Sequence, residues 1–538
     1  MSDKVKLIQF KEEARASFKR GVDILADAVV TTLGPRGRNV AINTAWDGLR
    51  VIRDGVSIAK EIVLENPFED TGAQLVKEAA EQTADLAGDG TTTSTLLARE
   101  MFNLGLEAIS NEINPVIVVR GIDKAIDAVV KELENMAKPI PENDIEKIRQ
   151  VATISSGDEK LGSLIADAFI KVGKTGLIDV QEGSGTDVEL KHSEGMSFAG
   201  GYLDENFSTN RTRMEAESTS PHILLTTKRM TSITDILPLF KKLVAKEIKN
   251  LVILAEELSG EAMAVVVVNY GKGLIFTLPL KTVVNGQPKR DLLEDIAVLT
   301  GGTVITEESG KTWETVEIED LGQAQKVWAD KYNTRIIGGK GDPEKIQERI
   351  EQLKTGLKNK EFSEKDKELI RERLARLTTG VGLIVVGGRT EVEMRDKKER
   401  VYDAVSATKA AIEEGIVPGG GVALLRARGI LLTIKDLSPE EAIGARIVFD
   451  ALAKPLYMIA QNSGEAGDEV VEKVLKGNAN WGYNSLLQVY GDMYEMGIID
   501  PAKVVRVALQ KAGGVVGSML TTEATVVEKP EKVEGVRI

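Results

Sequence analysis

Apolar residues recur at three- and four-residue steps from Lys11 to about Thr31, at Ala14, Phe18, Val22, Leu25 and Val29, which predicts an amphipathic helix. The run Thr32-Leu33-Gly34-Pro35-Arg36-Gly37-Arg38 stops it. Asn39 to Ile42 and Leu49 to Ile52 are short enough for strands, and the turn chemistry of Asn43 to Gly48 joins them as a hairpin. Helical spacing returns at Leu75, Val76, Ala79, Ala80, Thr83 and Leu86, breaks at Gly88-Asp89-Gly90, and restarts at Thr91 with Leu96, Leu97, Met101 and Leu104.

After Lys138-Pro-Ile-Pro141 the texture changes. From His222 to Thr306 short apolar runs alternate with helix-length amphipathic stretches: Ile223 to Leu225, Leu251 to Leu254, Leu274 to Phe276 and Thr303 to Ile305 read as buried strands, with helices starting near Ser232, Gly260 and Asp291. This predicts a parallel-sheet α/β domain inserted mid-chain. The charged stretch Pro343 to Leu377 carries Ile346, Ile350, Leu353 and Leu357, then Leu369, Ile370, Leu374 and Leu377, a helical hairpin packing back on that domain. Val381 to Val386 reads as a buried strand, the helix pattern from Tyr402 runs into a turn at Pro418-Gly-Gly-Gly421, and the rest is helical apart from a loop cluster at 477–484. The tail from Glu528 is too polar to fold alone.

At 538 residues the chain holds several cores, and 4 % aromatics beside 51 glycines mean aliphatic cores and many tight turns. The 69 Lys and Arg face 83 Asp and Glu, a net charge of −14 that argues against a nucleic-acid or anionic-membrane surface. The absence of cysteine excludes disulfides, thiolate zinc sites and a cysteine nucleophile, and two histidines, His192 and His222, exclude a multi-histidine metal site. With no apolar signal core at Met1 to Lys6 and no run near the ~18 apolar residues of a membrane helix, a soluble cytoplasmic protein is expected.

Gly88-Asp89-Gly90-Thr91-Thr92-Thr93 opens a helix, where free backbone amides and the positive helix end attract phosphate and three hydroxyls add donors. Asp89 stands where a carboxylate could hold Mg²⁺ bridging phosphates. An ordinary N-cap reads from the same residues. Gly34-Pro35-Arg36-Gly37 and Pro418-Gly-Gly-Gly421 let backbone approach a ligand, or simply turn, and no Gly-x-x-x-x-Gly-Lys-Ser/Thr occurs, so a nucleotide would not bind through an ordinary P-loop. Asp54 and Asp403 could orient a water for phosphoryl transfer, or be solvated carboxylates.

Together these segments carry a resemblance. From Lys11 to about Thr522 the chain resembles the bacterial-type group I chaperonins, the GroEL family. The matching stretches are Thr32 to Val40, Asp54-Gly-Val-Ser, Gly88 to Thr93, Arg120-Gly-Ile-Asp-Lys-Ala, Leu299 to Ile305, Thr390 to Met394, Ala410 to Gly421, Gly482-Tyr-Asn484 and Gly497-Ile-Ile-Asp500-Pro.

The resemblance implies a multidomain α/β fold: a largely helical equatorial ATPase domain at 1–136 and 414–538, a small α+β intermediate domain at 137–193 and 381–413, and an apical domain at 194–380. It implies ATP with Mg²⁺ and K⁺. Heptameric rings, two of them stacked, would bind non-native polypeptides and a GroES-type co-chaperonin. Thr32, Leu33, Gly34, Pro35 and Arg53 would line the nucleotide, Asp89 would ligate Mg²⁺, and Gly90 with Thr91, Thr92 and Thr93 would hold phosphate. Gly420, Asn484 and Asp500 would contact base and ribose, while Asp54 and Asp403 position the attacking water. Asp403 would arrive only on closure of the subunit. Gly195 and Gly380 match the apical hinge, or are simple turns. The groove for clients and co-chaperonin would comprise Tyr202, Phe207, Leu237, Phe240, Met263, Val267 and Val268, residues that without the resemblance read as core packing.

Departures from the family are Asn206 in place of a second Tyr, Val283 to Arg290 in place of a Pro-Gly-Phe-Gly loop, Arg53 in place of Lys, and no Gly-Gly-Met repeats in the tail. Two functions follow: an ATP-driven folding chamber, or a diverged paralogue acting as a holdase or scaffold with little turnover. The trio Asp54, Asp89 and Asp403 favours the first.

Overall fold

The computed structural model describes residues 5–44, 48–109, 113–141, 144–173, 177–183, 185–193, 195–210, 214–358, 362–378 and 380–529. Part of the turn expected at 43–48, and the tail beyond Lys529, lie outside them. The chain forms two compact units, one from Met1–Asp167, Glu182–Val188 and Val386–Ile538, the other from Ala168–Gln181 and Glu189–Val385.

The first unit is a helical core closed by its own ends. The expected stripe forms the helix Lys11–Val30, with Phe18, Val22, Leu25 and Val29 buried. Pro67–Ala87 starts on an Asn66 cap, with Pro67 fitting the first turn, and stops at Gly88 in the left-handed region. Ala502–Thr521 packs against it and against Thr91–Ala108 and Pro115–Met136, and its buried aliphatic and alanine side chains fill the centre. Pro439–Ala451 crosses Pro115–Met136 where a side chain on Gly121 would strike the Glu441 carbonyl at 2.1 Å, so the two backbones touch. Lys6–Phe10 pairs antiparallel with Ala524–Glu528, and Val40–Thr44 with Gly48–Ile52, the expected hairpin.

The last helix before the Gly-rich turn is Glu391–Glu414, eleven residues longer at its start than its apolar pattern predicts. Its first half is solvated and held by Thr390 capping and the Glu393–Lys397 and Asp396–Arg400 pairs, so no apolar stripe marks it. The loop cluster at 477–484 ends in a strand, Trp481–Asn484, that pairs with Val489–Asp492.

In the second unit the strands Phe276–Leu280, Asn250–Leu254 and His222–Thr226 are parallel neighbours, with Val304–Ile305 parallel to His222–Thr226. The expected all-parallel sheet is a correction: Gly322–Ala329, Asn333–Gly339, Gly195–Ala199 and Ala216–Thr219 complete it antiparallel. A short turn at Asp330 to Tyr332 joins two of them, and a tight hairpin can only reverse the chain. The strand read at Leu274 begins instead at Phe276, and the helix read from Asp291 begins at Gln287, where Pro288 suits a first turn. Pro343–Lys358 and Glu364–Thr378 form the expected helical pair, burying Ile346, Ile350, Leu353 and Leu377 in this unit's core. Buried Asp295 locks that pair to Gln287–Thr300 by accepting from Arg349 Nε at 2.9 Å and Arg373 Nε at 2.8 Å. A further three-stranded sheet places Val381–Val386 between Leu177–Glu182 and Val188–Ser193. Among the described residues no helix is long and apolar enough to cross a membrane.

Candidate functional site

The break between Pro67–Ala87 and Thr91–Ala108 is built on Gly88 and Gly90, at φ +71° and +85°, left-handed values that glycine adopts without strain. Between them lies Asp89, half-buried. Its Oδ1 accepts the Gly90 N–H at 2.6 Å and its Oδ2 accepts the Ser155 hydroxyl at 2.7 Å. Burial pushes its carboxyl up, the two hydrogen bonds oppose that, and the charge of Asp54 adds to it. The helices beginning at Pro67, Pro115 and Pro439 are each capped by the side chain before them, whereas Thr91–Ala108 starts on Gly90 with no side-chain cap. Its first amides are thus free to bind an anion.

Three other segments close on this loop. Asp54 caps the helix Gly55–Glu61, accepting the Ser57 N–H at 2.7 Å, and a side chain on Gly55 would lie 2.4 Å from Thr92 Oγ1. This turn therefore sits directly on the threonine run. A side chain on Gly88 would meet Ser406 Cβ at 2.1 Å, so the Glu391–Glu414 helix rests on the loop. Half-buried Asp403 lies one turn before Ser406 on the same helical face. Asp500, in the strand Ile499–Pro501 paired with Ile416–Pro418, accepts the Gly420 N–H, and its carboxyl is pushed up to about 7 by burial and then by the charge of Asp89. Gly420 is left-handed, at φ +64°.

The Thr32–Pro35 turn is fixed from several sides. Thr32 is buried and its hydroxyl donates to Val29 O, Asn462 Nδ2 donates to Leu33 O at 3.0 Å, and Arg53 donates to the Gly34 carbonyl. Pro35 is exposed. Arg53 also faces Arg400 and Asp396 of the Glu391–Glu414 helix; burial and then the like charge of Arg400 hold it below its ordinary value. Asn484 spends its carbonyl oxygen on its own hairpin turn, accepting from the Leu486 and Leu487 N–H groups at 3.1 Å.

The donor set suits a nucleotide with Mg²⁺. Among the described residues no three metal-ligating side chains cluster. One carboxylate ligand beside unfilled helix-start amides is what Mg²⁺ uses when phosphates and water supply its other ligands. A family model described as the TCP-1/cpn60 chaperonin family matches residues 25–530. The chain belongs to the TCP-1/cpn60 chaperonin family. Two crystal forms of chaperonin gp146 from bacteriophage EL 2 (Pseudomonas aeruginosa), both in the presence of ATP-BeFx, share the fold with TM-scores of 0.65 and 0.62. They are 22 % and 21 % identical, over 97 % of this chain in each case and 100 % and 99 % of theirs. The multidomain α/β chaperonin fold expected from the motifs is borne out.

In this chaperonin the second unit gathers the apical candidates unevenly. Tyr202, Phe207 and Phe240 are at most 3 % exposed and belong to the core, Phe207 edge-on to Tyr270. Leu237 and Met263 are half-buried, on the helices Ile233–Ala245 and Gly260–Gly271. Of the candidates only Val267 and Val268 are well exposed, at 50 % and 51 %; Ile233 and Val244 on the helix Ile233–Ala245, which the sequence reading missed, are exposed too. Asn206 N–H and Nδ2 both donate to Asp204 Oδ1, so it shapes the turn that buries Phe207. In the altered loop Lys289 is buried on Glu256, at 2.8 Å. Gly380 is left-handed at φ +65°, but Gly195 is needed for space, since a side chain there would meet Ile336 O at 2.5 Å.

Two site neighbours went unread in the sequence. Ser155 and Ser406 lie inside regular helices, and no local signal separates them from ordinary helical serines.

Proposed function

We propose that this chaperonin is an ATP-driven folding chamber of the bacterial-type group I. It captures non-native polypeptides on an apolar apical face and encloses them in stacked seven-subunit rings with a GroES-type co-chaperonin, in the cytoplasm. The observation that carries this reading is the convergence of Asp54, Asp89 and Asp500 at an uncapped helix start on which the Asp403 helix rests. The three-domain division, with equatorial 1–136 and 414–538, intermediate 137–193 and 381–413, and apical 194–380, belongs to this proposal, as do bending at Gly195 and Gly380 and a K⁺ requirement.

In this reading the Thr91–Thr93 amides and hydroxyls bind phosphate, and the Thr32–Pro35 turn with Arg53 lines the nucleotide. Asp89 holds Mg²⁺, which when bound neutralises phosphate charge. Asp54 and Asp403 orient the attacking water, Asp403 only while Ser406 is seated on Gly88, which ties hydrolysis to the position of the helix. Gly420, Asn484 Nδ2 and Asp500 face ribose and base.

Self-assembly has support in the same unit. The paired chain ends and the Val40–Ile52 hairpin are two-stranded ribbons with exposed Val5, Ile8, Phe10 and Val526 on one and Leu49 and Val51 on the other. Ribbons with free edges and an apolar face are templates for a neighbouring copy.

Steady-state ATP hydrolysis with Mg²⁺ and K⁺ tests the proposal, wild type beside Asp403→Ala on the assembled oligomer. Turnover is expected to fall by about two orders of magnitude or more with nucleotide binding retained. A wild-type ring without turnover would establish the holdase instead, and loss of binding in the variant would remove Asp403 from its assigned role.

A further inference from the structure

Adjacent serines near the end of the helix Ile145–Ser156 behave differently. Ser156 Oγ donates to Ala152 O at 2.6 Å, the usual back-bond of a helical serine, and Thr83, Thr95 and Thr408 do the same in their own helices. Ser155 instead points across the fold and donates to Asp89 Oδ2 at 2.7 Å, sixty-six residues away in sequence. The helix that carries it is braced at its other end too. Lys147 Nζ donates to Tyr494 O at 3.3 Å, and the Gln150 carboxamide lies against Gly497, in the segment that leads into Asp500. Ser155 is thereby delivered to Asp89 by a helix anchored on the same site.

The consequence is geometric. With Gly90 N–H on Oδ1 and the Ser155 hydroxyl on Oδ2, rotation of the carboxylate about its last bond is fixed at both oxygens. Each oxygen keeps a further lone pair. A ligating carboxylate oriented by a hydroxyl from another element is the outer-shell arrangement that tunes metal sites.

We infer that Ser155 is a positioning residue for Asp89, presetting the carboxylate for the divalent cation of the bound nucleotide. The inference rests on the nucleotide-site reading above. Its decisive test is an isosteric pair, Ser155→Thr, which keeps the hydroxyl, against Ser155→Val, which replaces it by methyl, each in the full-length assembled protein. Mn²⁺ affinity is read by electron paramagnetic resonance at saturating ADP, with no turnover involved, and ADP affinity is read separately in EDTA.

Ser155→Val is expected to weaken Mn²⁺ binding about 10- to 100-fold, the usual effect of removing an outer-shell partner, while Ser155→Thr stays near wild type and ADP affinity in EDTA is unchanged. Equal Mn²⁺ affinity in the two variants overturns the inference while leaving the site reading intact. If Asp89→Ala binds Mn²⁺ with ADP as well as wild type does, the site reading itself is lost. Should Ser155→Val fail to assemble, Ser155→Ala takes its place, and wild-type Mn²⁺ affinity in it overturns the inference equally.

Discussion

The Gly88–Thr93 loop and the outer flank of the Gly260–Gly271 helix carry the two halves of the proposed activity, and they are specified in opposite ways. The loop is half-buried and crowded. Two left-handed glycines, a carboxylate held at both oxygens and a Ser406 side chain packed against Gly88 leave Gly88, Asp89 and Gly90 little room for substitution. The helix flank is built from Val267 and Val268, aliphatic side chains with no polar partner that are set apart from core valines only by exposure. Chemistry at a defined atom needs defined residues, whereas adhesion to unfolded chains needs apolar area and little else.

The sharpest way to break that comparison is two charges placed two residues apart. Val266 is fully buried in the core of the second unit, so Val266→Glu strands an unpaired carboxylate there and is expected to cost more than ~4 kcal/mol, unfolding the unit. Val268→Glu on the exposed flank should change stability by no more than ~0.5 kcal/mol and yet abolish capture of an unfolded client. Thermal melts and a capture assay with a denatured protein read both. Capture surviving in Val268→Glu would move the adhesive face elsewhere.

Next in size is the seat of the Glu391–Glu414 helix. Gly88→Ala puts Cβ within 2.1 Å of Ser406 Cβ, displacing the helix that carries Asp403, and hydrolysis is expected to fall about 100-fold while client capture persists. Removing the clashing atom with Ser406→Gly in the same chain should restore most of it, less the ~1–2 kcal/mol of placing alanine at a left-handed φ. No rescue in the double variant would mean that strain in the loop, and not the helix seat, governs turnover.

The same contrast explains what could be read from the sequence. The loop stood out because three consecutive threonines after Gly-Asp-Gly exceed what an ordinary N-cap needs, and the helices around it have clean stripes such as Ala14-Phe18-Val22. The Gly260–Gly271 flank did not. Phe240 and Val268 are equally apolar, and only the three-dimensional sheet decides that one is core and the other surface. The antiparallel half of that sheet was missed for a related reason: Gly322–Ala329 mixes Gln323, Gln325 and Lys326 with its buried positions, so it lacks the apolar run that marked its parallel neighbours. Ser155 shows the remaining limit. A side chain that reaches across the fold leaves no trace in local spacing.

The smallest expected effect concerns Arg53, where the resemblance set out above expects lysine. Its guanidinium donates to the Gly34 carbonyl and feels the charges of Arg400 and Asp396 on the Glu391–Glu414 helix. Arg53→Lys keeps the charge and one donor but loses the planar fork, so the Gly34 hold and the reach toward that helix cannot both be kept by a single ammonium. ADP affinity by calorimetry should fall by only about threefold, since the positive charge that a phosphate feels is retained. A much larger loss would show that the arginine fork is part of the nucleotide contact in this chain. No change at all would place Arg53 with the permissive surface of the molecule, on the other side of the comparison from its neighbour Asp54.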